Sequence, residues 1–240
     1  MIDKRSPVPI YYQLEHMIRQ QIDTGELQPG DLIPSEREYA EQLDVSRMTV
    51  RQAITNLVNE GLLYRQKGRG TFVAEQKLEQ NLSGLTSFTE DMRARGMVPG
   101  SALLAFQIVP ADKKVADRLS LAEHAPVYEI KRIRLADEVP MALETVYMSA
   151  NLIKGLSEVI VMASLYHHIE KELGLEIGRA VQSMESAIVS EAERPHLLVP
   201  KGAPVLLIER HTFLKDGTPL EYVKSSYRAD RYKFTLDINR

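Results

Sequence analysis

Between Pro34 and Val73 the chain reads PSEREYAEQLDVSRMTVRQAITNLVNEGLLYRQKGRGTFV, a run that few folds accommodate. Ser35 stands where a helix N-cap belongs, and Glu38 three residues on closes a capping box. Tyr39, Ala40 and Leu43 then fall on one stripe at three-to-four spacing, until Asp44-Val45-Ser46 breaks the pattern. Ser46 caps a second helix, whose buried stripe is Val50, Ile54, Leu57 and Val58. Gly61 ends it. Leu62-Leu63-Tyr64 reads as a strand that returns through Lys67-Gly68-Arg69-Gly70 to Thr71-Phe72-Val73. Two short helices followed by a small basic hairpin predict a winged helix-turn-helix.

That layout points to DNA because of what it leaves outside. Arg47, Thr49 and Arg51 lie off the buried stripe near the start of the second helix. Arginine forks onto a guanine edge, while threonine and free N–H groups at a helix start hold phosphate. At the hairpin tip, Gly68 lets the backbone come close to a phosphate or the minor groove, and Lys67 and Arg69 supply charge. A solvated basic turn is the plainer reading of the tip taken alone. Whole-chain charge is uninformative, at −3 with a pI near 6.1. From Ser46 to Gly70, however, Arg47, Arg51, Arg65, Lys67 and Arg69 face only Glu60, a concentrated basic patch in otherwise neutral or acidic surroundings.

With 240 residues, two domains are expected, each long enough to bury a core. The sequence holds no cysteine, which excludes disulfide scaffolds and thiolate metal sites and fits a cytoplasmic protein. No apolar h-region opens the chain, and no apolar run approaches the roughly 18 residues of a membrane span. Six scattered histidines give no metal site. A polar stretch, AEQKLEQNLSG, follows the hairpin. The expected division is therefore a DNA-binding domain at 1–75, a linker at 76–85 and a second domain at 86–240.

In the second domain the pattern changes to alternating strands, at about 101–109, 126–136, 139–149, 176–190, 203–215 and 218–230. Helices near 87–96, 112–119 and 162–173 lie between them. The fold class is α+β, with an antiparallel sheet and flanking helices. An internal echo supports it. Ala125-Pro126-Val127 leads to Arg132 and the turn Ala136-Asp137-Glu138-Val139-Pro140, and Ala203-Pro204-Val205 leads likewise to Arg210 and the turn Lys215-Asp216-Gly217-Thr218-Pro219. Arg132 and Arg134 project from one strand face roughly 7 Å apart. Two guanidiniums side by side repel, and an anion such as phosphate is a natural partner. The competing reading is a cross-strand ion pair to Glu144 on a solvated face, which one register of the hairpin allows. Glu221, Val223, Ser225 and Tyr227 share another strand face.

On PVPIYYQLEHMIRQQIDTGELQPGDLIPSERE, SRMTVRQAITNLVNEGLL and RQKGRGTFV, residues 1–75 resemble the N-terminal domain of the GntR family of bacterial transcription regulators. The resemblance implies DNA contacts from Ser35, Arg37, Ser46, Arg47, Thr49, Arg51, Lys67, Gly68 and Arg69. Arg37 would clamp phosphate, although a salt bridge to Glu41 at four-residue spacing is the simpler role. Residues 80–235 resemble the UTRA domain of the family's HutC branch, whose fold is related to chorismate lyase. Within the branch the chain most resembles NagR-type repressors of N-acetylglucosamine use, particularly in NLVNEGLLYRQKGRGTFV and LSGLTSFTEDMRARGMVPGS.

The resemblance implies an effector rather than a cofactor, an amino-sugar 6-phosphate such as glucosamine 6-phosphate or N-acetylglucosamine 6-phosphate. Its phosphate would be held by Ser87, Phe88, Thr89, Arg132, Arg134, Ser164 and Tyr166, where two helix starts also offer N–H groups. Glu144, Glu221 and Tyr227 would take sugar hydroxyls. A homodimer on a roughly palindromic operator is the expected working form, since one head makes too few base contacts. Another anionic metabolite fits the two arginines equally well. A lyase-like enzyme is the remote alternative, because no nucleophile elbow, P-loop or HExxH pattern occurs. No catalytic residue is expected.

Overall fold

Ile10–Asp23 forms α1, whose Leu14 and Ile18 are completely buried. The computed structural model describes residues 2–75, 77–82 and 84–238 and separates into two units at Lys77 and Leu78. In the first unit α2 (Glu36–Leu43) starts with the expected capping box, Ser35 accepting from the Glu38 N–H and Glu38 accepting from the Ser35 N–H. α3 (Arg47–Asn59) is capped by Ser46, which accepts from the Thr49 N–H. Val50, Ala53, Ile54 and Leu57 of α3 pack with Leu14, Ile18, Tyr39 and Ala40. One apolar stripe per helix thus builds a single small core.

β1 (Leu63–Gln66) and β2 (Gly70–Val73) form the predicted antiparallel hairpin, closed on the core by Leu63 and Val73. Gly70 suits the hairpin because its φ is +126°, a conformation that L side chains rarely adopt. The helix α1 is absent from the sequence reading, which used its residues only for resemblance. Its N-cap position is Pro9, which makes no side-chain capping bond, so no capping signature announces it.

The second unit is built on a six-stranded antiparallel sheet. In chain order it comprises β3 (Leu78–Asn81), α4 (Phe88–Ala94), β4 (Pro99–Pro110), α5 (Lys113–Leu119), β5 (Pro126–Ala136), β6 (Val139–Ser149), α6 (Glu158–Met162), α7 (Leu165–His167), β7 (Ile177–Ile188), α8 (Arg194–Leu197), β8 (Pro204–Leu214), β9 (Pro219–Arg228) and β10 (Tyr232–Thr235). The sheet order is β4-β5-β6-β9-β8-β7. On one face Ile130, Val146, Met148 and Val223 pack against Val161, Leu165 and Ile169. On the other, α5 covers Val127 and Tyr222, and α8 covers Leu143 and Val205.

The sequence echo is a structural two-fold. Each three-strand half runs edge, hairpin, and the two hairpins meet at β6 and β9. Thr145 and Lys224 stand in like places after Pro140 and Pro219, and they are cross-strand partners, so the pseudo-axis passes between them. Both hairpin turns form. Gly217 carries φ +89° in the second, while the first places Asp137 and Glu138, both non-glycine, at φ +47° and +65°. Asp137 is held there by accepting the Val98 N–H and donating its own to the Val98 carbonyl.

Two expectations change. Part of the 76–85 linker is strand: β3 pairs in parallel with β10, Leu78 opposite Tyr232 and Asn81 opposite Thr235. Such a pairing carries no local signal, since both strands are four residues long and lie at opposite ends of the domain. The helix expected over 162–173 opens at Ser164, as the capping residue implied, but it changes geometry along its length and a separate short helix precedes it. α6 stops at Met162, Ala163 leaves helical geometry, Ser164 caps α7, and His168–Glu172 continues as a π-helical turn. The apolar spacing of Val161, Leu165 and Ile169 runs through both pieces, so periodicity does not mark the boundary between them and the Ser164 cap does.

Candidate functional site

The basic surface of the first unit is narrower than its sequence charge. Arg51 Nε donates to Glu36 at 2.8 Å, and Arg65 lies 3.5 Å from the same carboxylate. Arg37 makes the simpler pairing, to Glu41 across one helical turn at 2.7 Å. Glu60, the acid inside the patch, is taken by Arg19. Among the described residues this leaves Arg47, Lys67 and Arg69 exposed without an acidic partner, one at the start of α3 and two at the hairpin tip. Thr49 is half-buried, with its hydroxyl 2.8 Å from Ser46 Oγ. Ser35 and Ser46 therefore serve the helix starts first. Gly68, at φ +76°, turns the tip.

In the second unit, all ten residues expected around an effector line one narrow hollow. Strand parity brings Arg132 from β5, Glu144 from β6 and Glu221 and Tyr227 from β9 to one face of the sheet. α4 contributes Phe88 and Thr89 after the capping-box serine Ser87, and the start of α7 contributes Ser164 and Tyr166. Helix starts and sheet converge, so N–H groups, guanidiniums and carboxylates share one hollow.

Arg132 and Arg134 are only 5% and 3% exposed. Arg132 Nε donates to Glu144 at 2.7 Å, and another of its N–H groups reaches the Val161 carbonyl. The cross-strand ion pair that one register allowed does form, and it is buried rather than on a solvated face. Arg134 donates to Ser101 Oγ at 2.7 Å and Thr89 Oγ1 at 3.1 Å, with its guanidinium 4.6 Å from the Phe88 ring centre. Its Nε is buried with no partner. Burial first, and then the neighbouring Arg132, bring the Arg134 pKa down to about 10, with Glu144 pulling against them.

The two carboxylates are tuned in opposite directions. Burial pushes Glu144 up, but Arg132 and Arg134 outweigh it and hold the acid below its ordinary value. Burial also raises Glu221, and there the hydrogen bonds from Tyr166 (2.6 Å) and Thr212 (2.9 Å) offset only part of the rise. Tyr227 is pushed up to about 12, by burial first and with Arg210 pulling against it. A neutral phenol is an O–H donor and acceptor at any ordinary pH.

Arg210 was missed as a site residue. It lines the same cavity, donates to Gln182 Oε1 at 2.8 Å, and its pKa is raised by Tyr166, Tyr227 and Glu221 against the effect of burial. The signal was present: Arg210 is the echo of Arg132, and the pseudo-two-fold brings both to one hollow. Among the described residues no cluster of three metal-ligating side chains exists, and no helix is long and apolar enough to cross a membrane.

Comparison with known proteins accounts for both units. Residues 10–73 match the model for bacterial regulatory proteins of the gntR family, and residues 94–233 match the UTRA domain. The chain belongs to the GntR family. It is 50% identical to the HTH-type transcriptional repressor NagR of Bacillus subtilis, over 100% of this chain and 98% of the relative. To the mannosyl-D-glycerate transport/metabolism system repressor MngR of Escherichia coli it is 34% identical, covering 97% of each. The crystal structure of PhnF from Mycobacterium smegmatis superposes with a TM-score of 0.72 at 34% identity, covering 95% of this chain and 98% of that one. This GntR-family chain is thus a DNA-binding transcription regulator with a UTRA domain, and not an enzyme.

Proposed function

We propose that this regulator represses genes of amino-sugar utilisation, holding a roughly palindromic operator as a homodimer and leaving it when an amino-sugar 6-phosphate enters the cavity. Glucosamine 6-phosphate and N-acetylglucosamine 6-phosphate are the two candidates. The observation that carries the reading is chemical: two buried guanidiniums, one with an unpartnered Nε, share a hollow with two carboxylates and two phenols. A phosphate takes forked hydrogen bonds from arginine and N–H groups at a helix start, and sugar hydroxyls are served by carboxylates and phenols. The 50% identity to the repressor NagR supports the repressor part of this reading. Arg47, Thr49, Lys67, Gly68 and Arg69 face the DNA in this reading, with Ser35 and Ser46 supplying helix starts and Arg37 and Arg51 held close by.

The test has two arms. Calorimetry with each sugar 6-phosphate, with N-acetylglucosamine and with inorganic phosphate should find tight binding only for the phosphorylated sugars. Repeating it on protein bound to a duplex selected from a random pool should weaken effector binding by the factor by which effector weakens DNA binding, about 1–3 kcal/mol. Equal effector affinity with and without DNA overturns the switch. Tight binding of a different anion alone, such as a sugar acid, overturns the ligand.

A further inference from the structure

The two edges of the six-stranded sheet are finished differently. β4 begins at Pro99, ends at Pro110 and is bulged between Leu103 and Ala105. Prolines and bulges are devices that spoil an edge as a template for another strand. β7 has neither proline nor mid-strand bulge: its one register shift lies at Ile177/Arg179, and it then runs in register with β8 to Ile188. Among the described residues no strand pairs with its outer side. Val181, Met184 and Ile188 on this strand are 57%, 41% and 65% exposed. A long, open, partly apolar edge invites a strand.

The strand also says which one. Its only charged residues are Arg179 and Glu185, both on the face away from the cavity, as strand parity requires. Antiparallel pairing of β7 with a second β7 sets residues of equal parity opposite each other, about a two-fold normal to the sheet. With Gln182 on the axis, Arg179 faces the partner's Glu185 and Glu185 faces the partner's Arg179, while Ala180 meets the partner's Met184. Moving the axis to Val181 sets Arg179 against Ser183, and moving it to Ser183 sets Arg179 against Ala187. Only one register matches both charges, and opposite charges across a strand pair favour it.

We propose that β7 is the homodimer seam, pairing with β7 of a second copy about an axis at Gln182, so that one antiparallel sheet runs through both effector domains. The proposal rests on the homodimer of the preceding section and adds its surface and register. It also gives Gln182 a second role. Gln182 accepts from Arg210, and with Ala180 and Met184 it lines a neighbouring hollow that shares Glu144, Arg210 and Tyr227 with the cavity. A ligand that engages Arg210 therefore acts one hydrogen bond from the seam, where the same contact of the partner stands.

Charge reversal at exposed positions tests this in the full chain. Sedimentation equilibrium without DNA should show a dimer for the natural sequence. Glu185→Arg and Arg179→Glu, each placing like charges opposite one another twice per interface, should each weaken dimerisation by about tenfold or more. The double variant R179E/E185R should return to within about threefold of the natural sequence, since reversal of both restores complementarity. Circular dichroism reports folding, and Glu185→Arg is the arm that keeps the test decisive if loss of the Arg179 stack on Phe213 (4.1 Å) perturbs the domain. A dimer indifferent to Glu185→Arg, or single variants that weaken without rescue by the double, overturns this seam and leaves the homodimer standing. A monomeric natural protein overturns both.

Discussion

Arg37 and Arg132 each donate Nε to a glutamate Oε1 at 2.7 Å, one in each unit of the chain. The geometry is the same and the surroundings are opposite. Arg37 and Glu41 are 70% and 63% exposed, whereas Arg132 and Glu144 are 6% and 12% exposed. Water and salt screen the first pair, which can part at little cost when a phosphate offers itself. The second pair has no water to return to, so each charge depends on the other. An exposed helix surface and a buried hollow thus use the same pair of residue types under different dielectric conditions.

The largest expected effect follows from that dependence. Glu144→Ala leaves Arg132 buried without its counter-charge and should destabilise the effector domain by about 3–5 kcal/mol. Denaturant unfolding of Glu144→Ala beside the double variant R132M/E144L isolates the cause. If burial of an unpaired charge is responsible, the double variant recovers most of the loss; equal losses would mean that packing, not charge, sets the cost.

On the DNA side the comparison predicts a split between arginines only four residues apart on α3. Arg47 has no acidic partner, and Arg51 is tied to Glu36. Arg47→Ala should lower operator affinity by about 1–3 kcal/mol, the range of a specific arginine contact. Arg51→Ala should cost less, because its release from Glu36 offsets part of what it gains on DNA. Electrophoretic shift titrations on a selected duplex would show the order, and a larger loss for Arg51→Ala would invert this assignment.

Within the hollow, pH separates the two carboxylates. Glu144 is held below its ordinary pKa when folded, so its contribution to stability is present above the unfolded value and is lost as pH falls through the folded one. Glu221 is raised, so the folded state binds its proton more readily than the unfolded chain. Its ionisation therefore costs stability as pH rises from the unfolded value through the folded one. Glu144→Gln should lower stability at pH 7 and flatten the loss in acid, whereas Glu221→Gln should preserve or raise stability at pH 7. Urea midpoints from pH 4 to 8 check both signs.

How much of this was readable from the chain depends on the range of the interactions involved. Ser35 with Glu38 and Ser46 with Thr49 act within one helical turn, so the starts of α2 and α3 were legible residue by residue. Strand parity placed Glu221, Ser225 and Tyr227 on one face, and resemblance chose that face as a site. Arg210 escaped although its echo of Arg132 and its hairpin were legible: that the two halves share one hollow depends on β6 pairing with β9, which no local pattern states. β3 escaped for the same reason: Leu78 meets Tyr232 only after the whole sheet has formed between them. The register of Arg132 with Glu144 was one choice among several until the Asp137-Glu138 turn fixed it.

The smallest expected effect is also the one that most sharply tests the opening comparison. An exposed pair at four-residue spacing is worth about 0.3–0.5 kcal/mol, so Arg37→Ala should move the thermal midpoint of the first unit very little. Operator binding should respond differently. If Arg37 leaves Glu41 for a phosphate, its removal should weaken binding to all duplexes alike and reduce the slope of log affinity against log salt by about one. Glu41→Ala supplies the reciprocal arm, since freeing Arg37 should leave stability nearly unchanged and hold or raise DNA affinity. A salt slope unchanged in Arg37→Ala would make this pair a plain helix-surface contact, and the phosphate clamp would have to be sought at Lys67 and Arg69.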